Sequence, residues 1–241
     1  MKEKRKKIIQ ARSLYKIYDM GEEKVTALKN INLDIFAGEI CCIFGPSGSG
    51  KSTLLNQLAG LEKPTRGGVK ICGQIISRMN ENELAAFRQH HSGFIFQSYN
   101  LLNHLNALEN VALPLEFAGI EKTEREKAAR HMLGEVGLAG RMKHYPNQMS
   151  GGQQQRVGIA RAFINRPQVI FADEPTGNLD SKSTKEVMEM MTRFVREYRQ
   201  TLILVTHDQE MAAYADRIIT LKDGEIVRQE WKEKEKEYEN E

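Results

Sequence analysis

Nine residues constrain this chain more than any others: Gly45-Pro46-Ser47-Gly48-Ser49-Gly50-Lys51-Ser52-Thr53. They fit G-x-x-x-x-G-K-[ST], the phosphate-binding loop of nucleotide hydrolases. The setting makes the match informative. Residues 39–44 before it are mostly apolar, as a buried parallel strand requires. Residues 51–59 after it open a helix. Glycines let the backbone bend tightly and aim N–H groups at a polyphosphate. The helix N-terminus adds roughly half a positive charge to that anion site. Lys51 is placed to reach the outer phosphates, and the Ser52 hydroxyl to ligate Mg²⁺.

A length of 241 residues suits one large α/β domain, or a core carrying an inserted subdomain. The net charge of +3 is too small to argue for nucleic acid as a partner, and none is expected. No apolar run approaches the roughly 18–20 residues that cross a bilayer. Lys2, Lys4, Arg5, Lys6 and Lys7 form a basic start with no long apolar segment behind it. It reads as a solvated tail rather than a secretory leader, with weak attraction to anionic lipid as the alternative. Cys41, Cys42 and Cys72 lie in apolar, strand-like runs without C-x-x-C. They read as small core hydrophobes of a reducing cytosol. The histidines are scattered, so no zinc site is supported.

Along the chain, residues 8–14 read as a first strand, and residues 19–24 as a polar turn. Residues 25–36 alternate roughly apolar and polar, as antiparallel strands with one wet face do. Residues 64–68 read as a turn and 69–76 as a strand. Residues 80–90 read as a helix capped by Asn80, with Glu83 completing a capping box. Residues 92–96 form another short buried strand. From about 98 to 165 the pattern turns helical, with a capping box predicted at Thr123 and Glu126 and a stop at Gly137. Strands resume at 169–172 and 202–205, flanking an amphipathic helix over 181–199. That helix is expected to bury Val187, Met190, Met191, Phe194, Val195 and Tyr198. A hairpin at Lys222-Asp223-Gly224 follows. From Glu230 the chain is charge-dense and reads as a tail that frays into solvent.

The second half of the site is Asp173-Glu174, at the end of the apolar run 169–172. Strand ends are where open α/β sheets place their chemistry. Asp173 is positioned to hold Mg²⁺ through a water, opposite Ser52. Glu174 would face the other side, free to orient and deprotonate an attacking water. The absence of Asn-Lys-x-Asp disfavours a guanine-reading domain.

With these residues in order, the chain resembles the nucleotide-binding subunit of an ATP-binding-cassette (ABC) transporter over nearly its whole length. The family's signature, normally Leu-Ser-Gly-Gly-Gln, reads Met149-Ser150-Gly151-Gly152-Gln153 here. Met keeps an apolar anchor and leaves the phosphate-facing residues untouched. Ser150, Gly151 and Gly152 would start a helix over 153–164 and form a second anion site. The resemblance implies a P-loop NTPase core with an antiparallel β subdomain and an inserted α-helical subdomain at 98–165, all within one domain of 1–241. It implies ATP and Mg²⁺, and a head-to-tail dimer in which each signature, with Gln153, closes on ATP held by the other chain. It assigns Gln97 to the Mg²⁺-linked Gln loop, Asp180 to the dimer interface and His207 to the γ-phosphate. An N-terminal aromatic residue stacks on adenine in this family; Tyr18, three residues before Gly21, fits best, and Tyr15 is the alternative.

Hydrolysis needs a load, and the resemblance supplies an integral-membrane permease. The chain would then be cytoplasmic and peripheral on the inner membrane face. Leu101, Leu102, Leu105 and Leu108 offer apolar material for that contact, or for the core. Residues 108–115, 153–156 and 176–181 resemble the lipoprotein-release and macrolide-export group. The rival readings are a cell-division regulator of the same fold, which transports nothing, and a soluble ABC ATPase acting on DNA or ribosomes. The latter lacks a coiled-coil insertion, a second cassette and a strong basic excess.

Overall fold

Period-two alternation decides which way each strand of the larger sheet faces. In β3 (Ile40–Phe44), Ile40 and Cys42 enter one core, and Cys41 and Ile43 the other. The pattern repeats in β7 (Val169–Asp173), where Ile170 and Ala172 oppose Val169 and Phe171. It repeats again in β8 (Thr201–Thr206), where Leu202 and Leu204 oppose Ile203 and Val205. A sheet apolar on both faces must be covered on both, and it is.

The computed structural model describes residues 5–21 and 23–232. The six-stranded sheet runs β10-β9-β3-β8-β7-β6, with β6 at Ser92–Phe96, β9 at Arg217–Lys222 and β10 at Glu225–Trp231. All neighbours are parallel except the β9–β10 hairpin. A four-stranded antiparallel sheet, ordered β2-β1-β4-β5, holds β1 (Lys7–Asp19), β2 (Lys24–Phe36), β4 (Arg66–Ile71) and β5 (Gln74–Ile75). It shares one core with α1 (Lys51–Leu58), α2 (Glu81–His91) and one face of the larger sheet. The opposite face packs on α3 (Ala107–Phe117), α4 (Lys122–Glu135), α5 (Gly151–Phe163) and α6 (Ser181–Glu197). A short α7 (Gln209–Ala212) joins β8 to β9. Among the described residues, no helix is long and apolar enough to cross a membrane.

Several sequence expectations are corrected. The first strand runs to Asp19, bulged at Ser13, whose φ is 45°. The strand expected over 69–76 begins earlier, at Arg66, and breaks at Cys72. Cys72 has a φ of 49° and is only half-buried, so it sits in a turn rather than in a strand. The box at Thr123 does not form: α4 starts one residue before it, and its N-cap, Glu121, makes no side-chain cap. In α6, Val187, Met191, Phe194 and Val195 are buried as expected, Met190 and Tyr198 pack half-buried against the same core, and Met188 is buried beside them. Leu108 belongs to the core and Leu101 packs against it, while Leu102 stays exposed. Of the tail expected to fray from Glu230, Glu230 and Trp231 instead complete β10, paired with Ile218 and Arg217. Lys2, Lys4 and the residues beyond 232 lie outside the described residues.

Candidate nucleotide-hydrolysis site

Parallel register brings four strand ends level. Phe44 pairs with Thr206, Val205 with Asp173, and Asp173 with Phe96. The residues that follow these strands therefore meet at one edge: the loop 45–53, His207, Glu174 and Gln97. This is the carboxyl edge of a parallel sheet, where ligands bind such folds.

The loop is shaped by Gly50, the N-cap of α1, at φ 98°. A Cβ there would lie 2.6 Å from the Ala27 carbonyl oxygen, so no other residue fits. No side chain caps α1, so its leading N–H groups remain available to an anion. Lys51 is buried, and its Nζ donates to the Pro46 carbonyl at 2.8 Å. Among the described residues no carboxylate pairs with it. A buried ammonium bonded to a single carbonyl matches the charge of a polyphosphate.

Asp173 continues the alternation of Val169 and Phe171 and so faces α1. Its Oδ1 accepts from the Ser52 hydroxyl at 3.0 Å. Burial pushes the Asp173 carboxyl above its ordinary value; Ser52 and Lys51 pull it back, and the neighbouring charge of Glu174 pushes it further up. A desolvated carboxylate beside a hydroxyl and a second carboxylate is a hard-oxygen donor set, which fits Mg²⁺. Glu174 is bent away from Asp173 by a left-handed backbone, φ 43°, and its Oε1 lies 3.0 Å from His207 Nδ1. Gln97 lies over the same corner. Its carbonyl accepts from Asn178 Nδ2 at 3.0 Å, and its Nε2 is 2.7 Å from where a Cβ on Gly177 would be. Tyr18 is near the end of the loop, beside Thr53, and its hydroxyl donates to Glu62 at 2.8 Å. Tyr15 instead pairs across the sheet with Arg66.

Residues 150–153 are not brought to this loop. The helix begins at Gly151, two residues before the expected start, because Ser150 and Gln153 form a capping box at its N-terminus. Gly151 approaches Tyr99 and Asn178, and Gly152 approaches Ser183. Asp180 caps α6 by accepting from the Ser183 backbone N–H at 2.9 Å and the Ser183 hydroxyl at 2.7 Å, which hold its carboxyl below the usual range. One chain thus carries a phosphate loop and, elsewhere on its surface, a second glycine-rich helix start.

The model of the ABC transporter family matches residues 28–177. The chain belongs to the ABC transporter family. This ABC cassette is 56% identical over 220 residues to an uncharacterised ABC transporter ATP-binding protein, MJ1508, of Methanocaldococcus jannaschii, a match covering 91% of this chain and 98% of that protein. It is 49% identical over 221 residues to the macrolide export ATP-binding/permease protein MacB of Escherichia coli K12, covering 92% of this chain but 34% of the relative. A solved dimer of the ATP-binding cassette MJ0796, in a post-hydrolysis state with ADP and Pi, matches with a TM-score of 0.87 at 46% identity, covering 93% of this chain and 98% of that one. The chain is accordingly an ABC ATPase whose substrate is ATP.

Sequence reasoning passed over three residues of this ABC cassette that shape the site. Gln155 is fully buried and donates to the Phe96 carbonyl at 3.4 Å and the Pro175 carbonyl at 2.5 Å. Arg161 donates to the Asn100 and Tyr99 carbonyls at 2.6 and 2.9 Å. Tyr99 itself is held at φ 61°. The available signal was a polar residue at helical spacing between Gly151 and Gly158 on an otherwise apolar face.

Proposed function

We propose that this chain is the ATP-hydrolysing subunit of an export-type membrane transporter of the lipoprotein-release or macrolide-export kind. It works as a head-to-tail pair, held at the cytoplasmic face of the membrane by a permease. The single observation that carries this is the arrangement just described: Lys51, Ser52, Asp173 and Glu174 converge on one site, while residues 150–153 pack on Tyr99, Asn178 and Ser183 instead of on the phosphate loop. Two such copies facing each other would each complete the other's site.

In this reading Lys51 and the amides of residues 45–53 hold the triphosphate, and Tyr18 stacks on adenine. Ser52, Asp173 and Gln97 hold Mg²⁺, which neutralises charge on the phosphate oxygens when bound. Glu174 orients the attacking water and takes its proton, and His207, which meets the Glu174 carboxylate, steadies the phosphoryl group. Ser150, Gly151, Gly152, Gln153 and Asp180 reach across to the other copy's site.

An apolar groove of about 820 Å³ between α2, β6, α3 and α5 supports a permease contact. It is lined by Phe94, Leu113, Pro114, Phe117 and Ala162, and the Phe117 side chain is 70% exposed. A large exposed aromatic residue beside an apolar cleft suits a partner helix.

The test has two arms. Light scattering of Glu174→Gln with magnesium ATP should give a dimer; single chains at saturating nucleotide would remove the paired mechanism. Affinity purification from detergent-solubilised membranes of the natural host should recover a stoichiometric integral-membrane permease. Recovery of the chain alone would remove the transport role.

A further inference from the structure

One face of α5 grips the turn that carries Gln97. Gly151, Gln155, Gly158 and Arg161 recur at helical spacing along it. A Cβ on Gly151 would lie 2.7 Å from the Tyr99 hydroxyl, and one on Gly158 3.7 Å from the Tyr99 carbonyl oxygen. The helix and the turn are therefore in van der Waals contact, with the Tyr99 hydroxyl lying over Gly151. Arg161 closes the far end with its two bonds, to the Tyr99 and Asn100 carbonyls. Tyr99 and Asn100 are both left-handed, at φ 61° and 47°. Non-glycine residues hold such a conformation only where their surroundings fix it.

Gln155 joins this contact to the other half of the site. One amide nitrogen serves two carbonyls from different elements: Phe96, immediately before Gln97, and Pro175, immediately after Glu174. The side chain is completely buried, so water does not compete for those bonds. A shift of α5 along or about its axis therefore pulls on the carbonyls beside Gln97 and Glu174, or breaks one or both bonds. The same helix presents residues 150–153 at its N-terminus.

We propose that Gln155 is the positioning residue that couples the two triphosphate sites of the dimer. Engagement of one copy's residues 150–153 by the partner's triphosphate seats α5, and Gln155 passes that seating to Gln97 and Glu174 at its own copy's site. Arg161 keeps the turn rigid enough to transmit it. The inference rests on the paired reading above and goes beyond it by naming the residue that links the sites.

The test is ATP hydrolysis by the full chain against ATP concentration, for the natural protein and Gln155→Met. Methionine keeps the length and removes both donors. The natural protein should show a Hill coefficient above 1 and up to about 2, which falls to about 1 in the variant. Turnover should fall about 10- to 100-fold through misplaced catalytic groups. ADP affinity, measured calorimetrically, should not change, because a merely structural defect would also weaken the phosphate loop. Where Gln155→Met does not fold, Arg161→Lys carries the test: it keeps the charge, loses the two-carbonyl fork and should lower the Hill coefficient likewise. A turnover loss with the Hill coefficient unchanged overturns the coupling, as does a dimeric natural protein with no cooperativity. A natural protein that neither dimerises nor hydrolyses ATP overturns the paired reading instead.

Discussion

Nδ1 of His207 stands 3.0 Å from Oε1 of Glu174, joining the ends of β8 and β7 across the carboxyl edge of the sheet. The contact sets Glu174 on the opposite side of its strand from Asp173, whose carboxylate meets Ser52. Two adjacent carboxylates thus acquire different neighbours, as the different roles proposed for them require. Replacing Glu174 by Gln keeps the shape and removes the proposed base. Turnover should fall about 10²- to 10⁴-fold while ATP affinity persists. Phosphate release and equilibrium ATP binding measured on one preparation check this. Undiminished turnover would take the base role away from Glu174.

Ser150 offers a way to separate a helix cap from a phosphate contact. Its side chain accepts from the Gln153 N–H, and Gln153 Oε1 accepts from the Ser150 N–H. Ser150→Ala should cost about 1 kcal/mol of stability through the lost cap. Ser150→Asp caps a helix about as well as Ser and suits the positive end of the dipole. It also sets a negative charge where the partner's phosphates are proposed to arrive, a repulsion of several kcal/mol. The Asp variant should therefore melt like the natural protein and lose ATPase activity at least about 100-fold. Normal turnover in a stable Ser150→Asp protein would show that this hydroxyl faces no phosphate.

The parts legible in the sequence are those where one local rule decides the outcome. The loop 45–53, the strand Ser92–Phe96 and the Asn80–Glu83 capping box depend on neighbouring residues only, and all lie where the pattern puts them. The box at Thr123 is equally local in sequence, but the helix is capped at Glu121, two residues too early for it. The contacts of Gln155, as distinct from its place on an apolar face, were illegible for a different reason. Its partners are backbone carbonyls at Phe96 and Pro175, 59 and 20 residues away. Carbonyls carry no side-chain signature, so nothing in their residue types announces the contact. That Tyr18, not Tyr15, lies beside Thr53 was likewise hidden by the bulges in β1, which shift its register between Ala11 and Ile17.

Those bulges make the adenine contact testable. Tyr18 lies beside Thr53, at the end of the phosphate loop, whereas Tyr15 lies opposite Arg66. Lys16 Nζ sits 5.0 Å from the Tyr18 ring centroid and pairs with Glu62 at 2.6 Å, so the ring is braced from one side. Tyr18→Ala should raise the dissociation constant for ATP about tenfold, the scale of one base–aromatic stack. Tyr18→Phe should bind normally, and Tyr15→Ala should change affinity by less than about twofold. Calorimetric titration of the three variants decides it; a larger loss from Tyr15→Ala than from Tyr18→Ala would reverse the assignment.

The strongest stability prediction lies away from the nucleotide. Glu39 and Arg217 are 5% and 4% exposed, and Arg217 Nη2 donates to Glu39 Oε1 at 2.6 Å. The guanidinium also bonds the Asp34 carbonyl at 2.6 Å and lies 4.7 Å from the Trp231 ring centroid. Burial nevertheless pushes the Glu39 carboxyl above its ordinary value of 4.5, with Arg217 pulling it only part of the way back. A carboxyl raised on folding binds its proton more tightly in the native state, so stability falls as pH rises from 4.5 through the raised value. Removing Arg217 removes the downward pull and extends that window upward. Arg217→Met should therefore cost about 3–5 kcal/mol at pH 7.5, because a buried carboxylate is left unpaired. The loss should be clearly smaller at pH 5, where Glu39 can take up a proton. The double variant Glu39→Leu with Arg217→Met should return to within about 2 kcal/mol of the natural protein. Urea unfolding of the natural protein and the two variants at both pH values checks this, and a loss in Arg217→Met that is equal at pH 5 and 7.5 would mean that packing on Trp231, not the charge of Glu39, sets the cost.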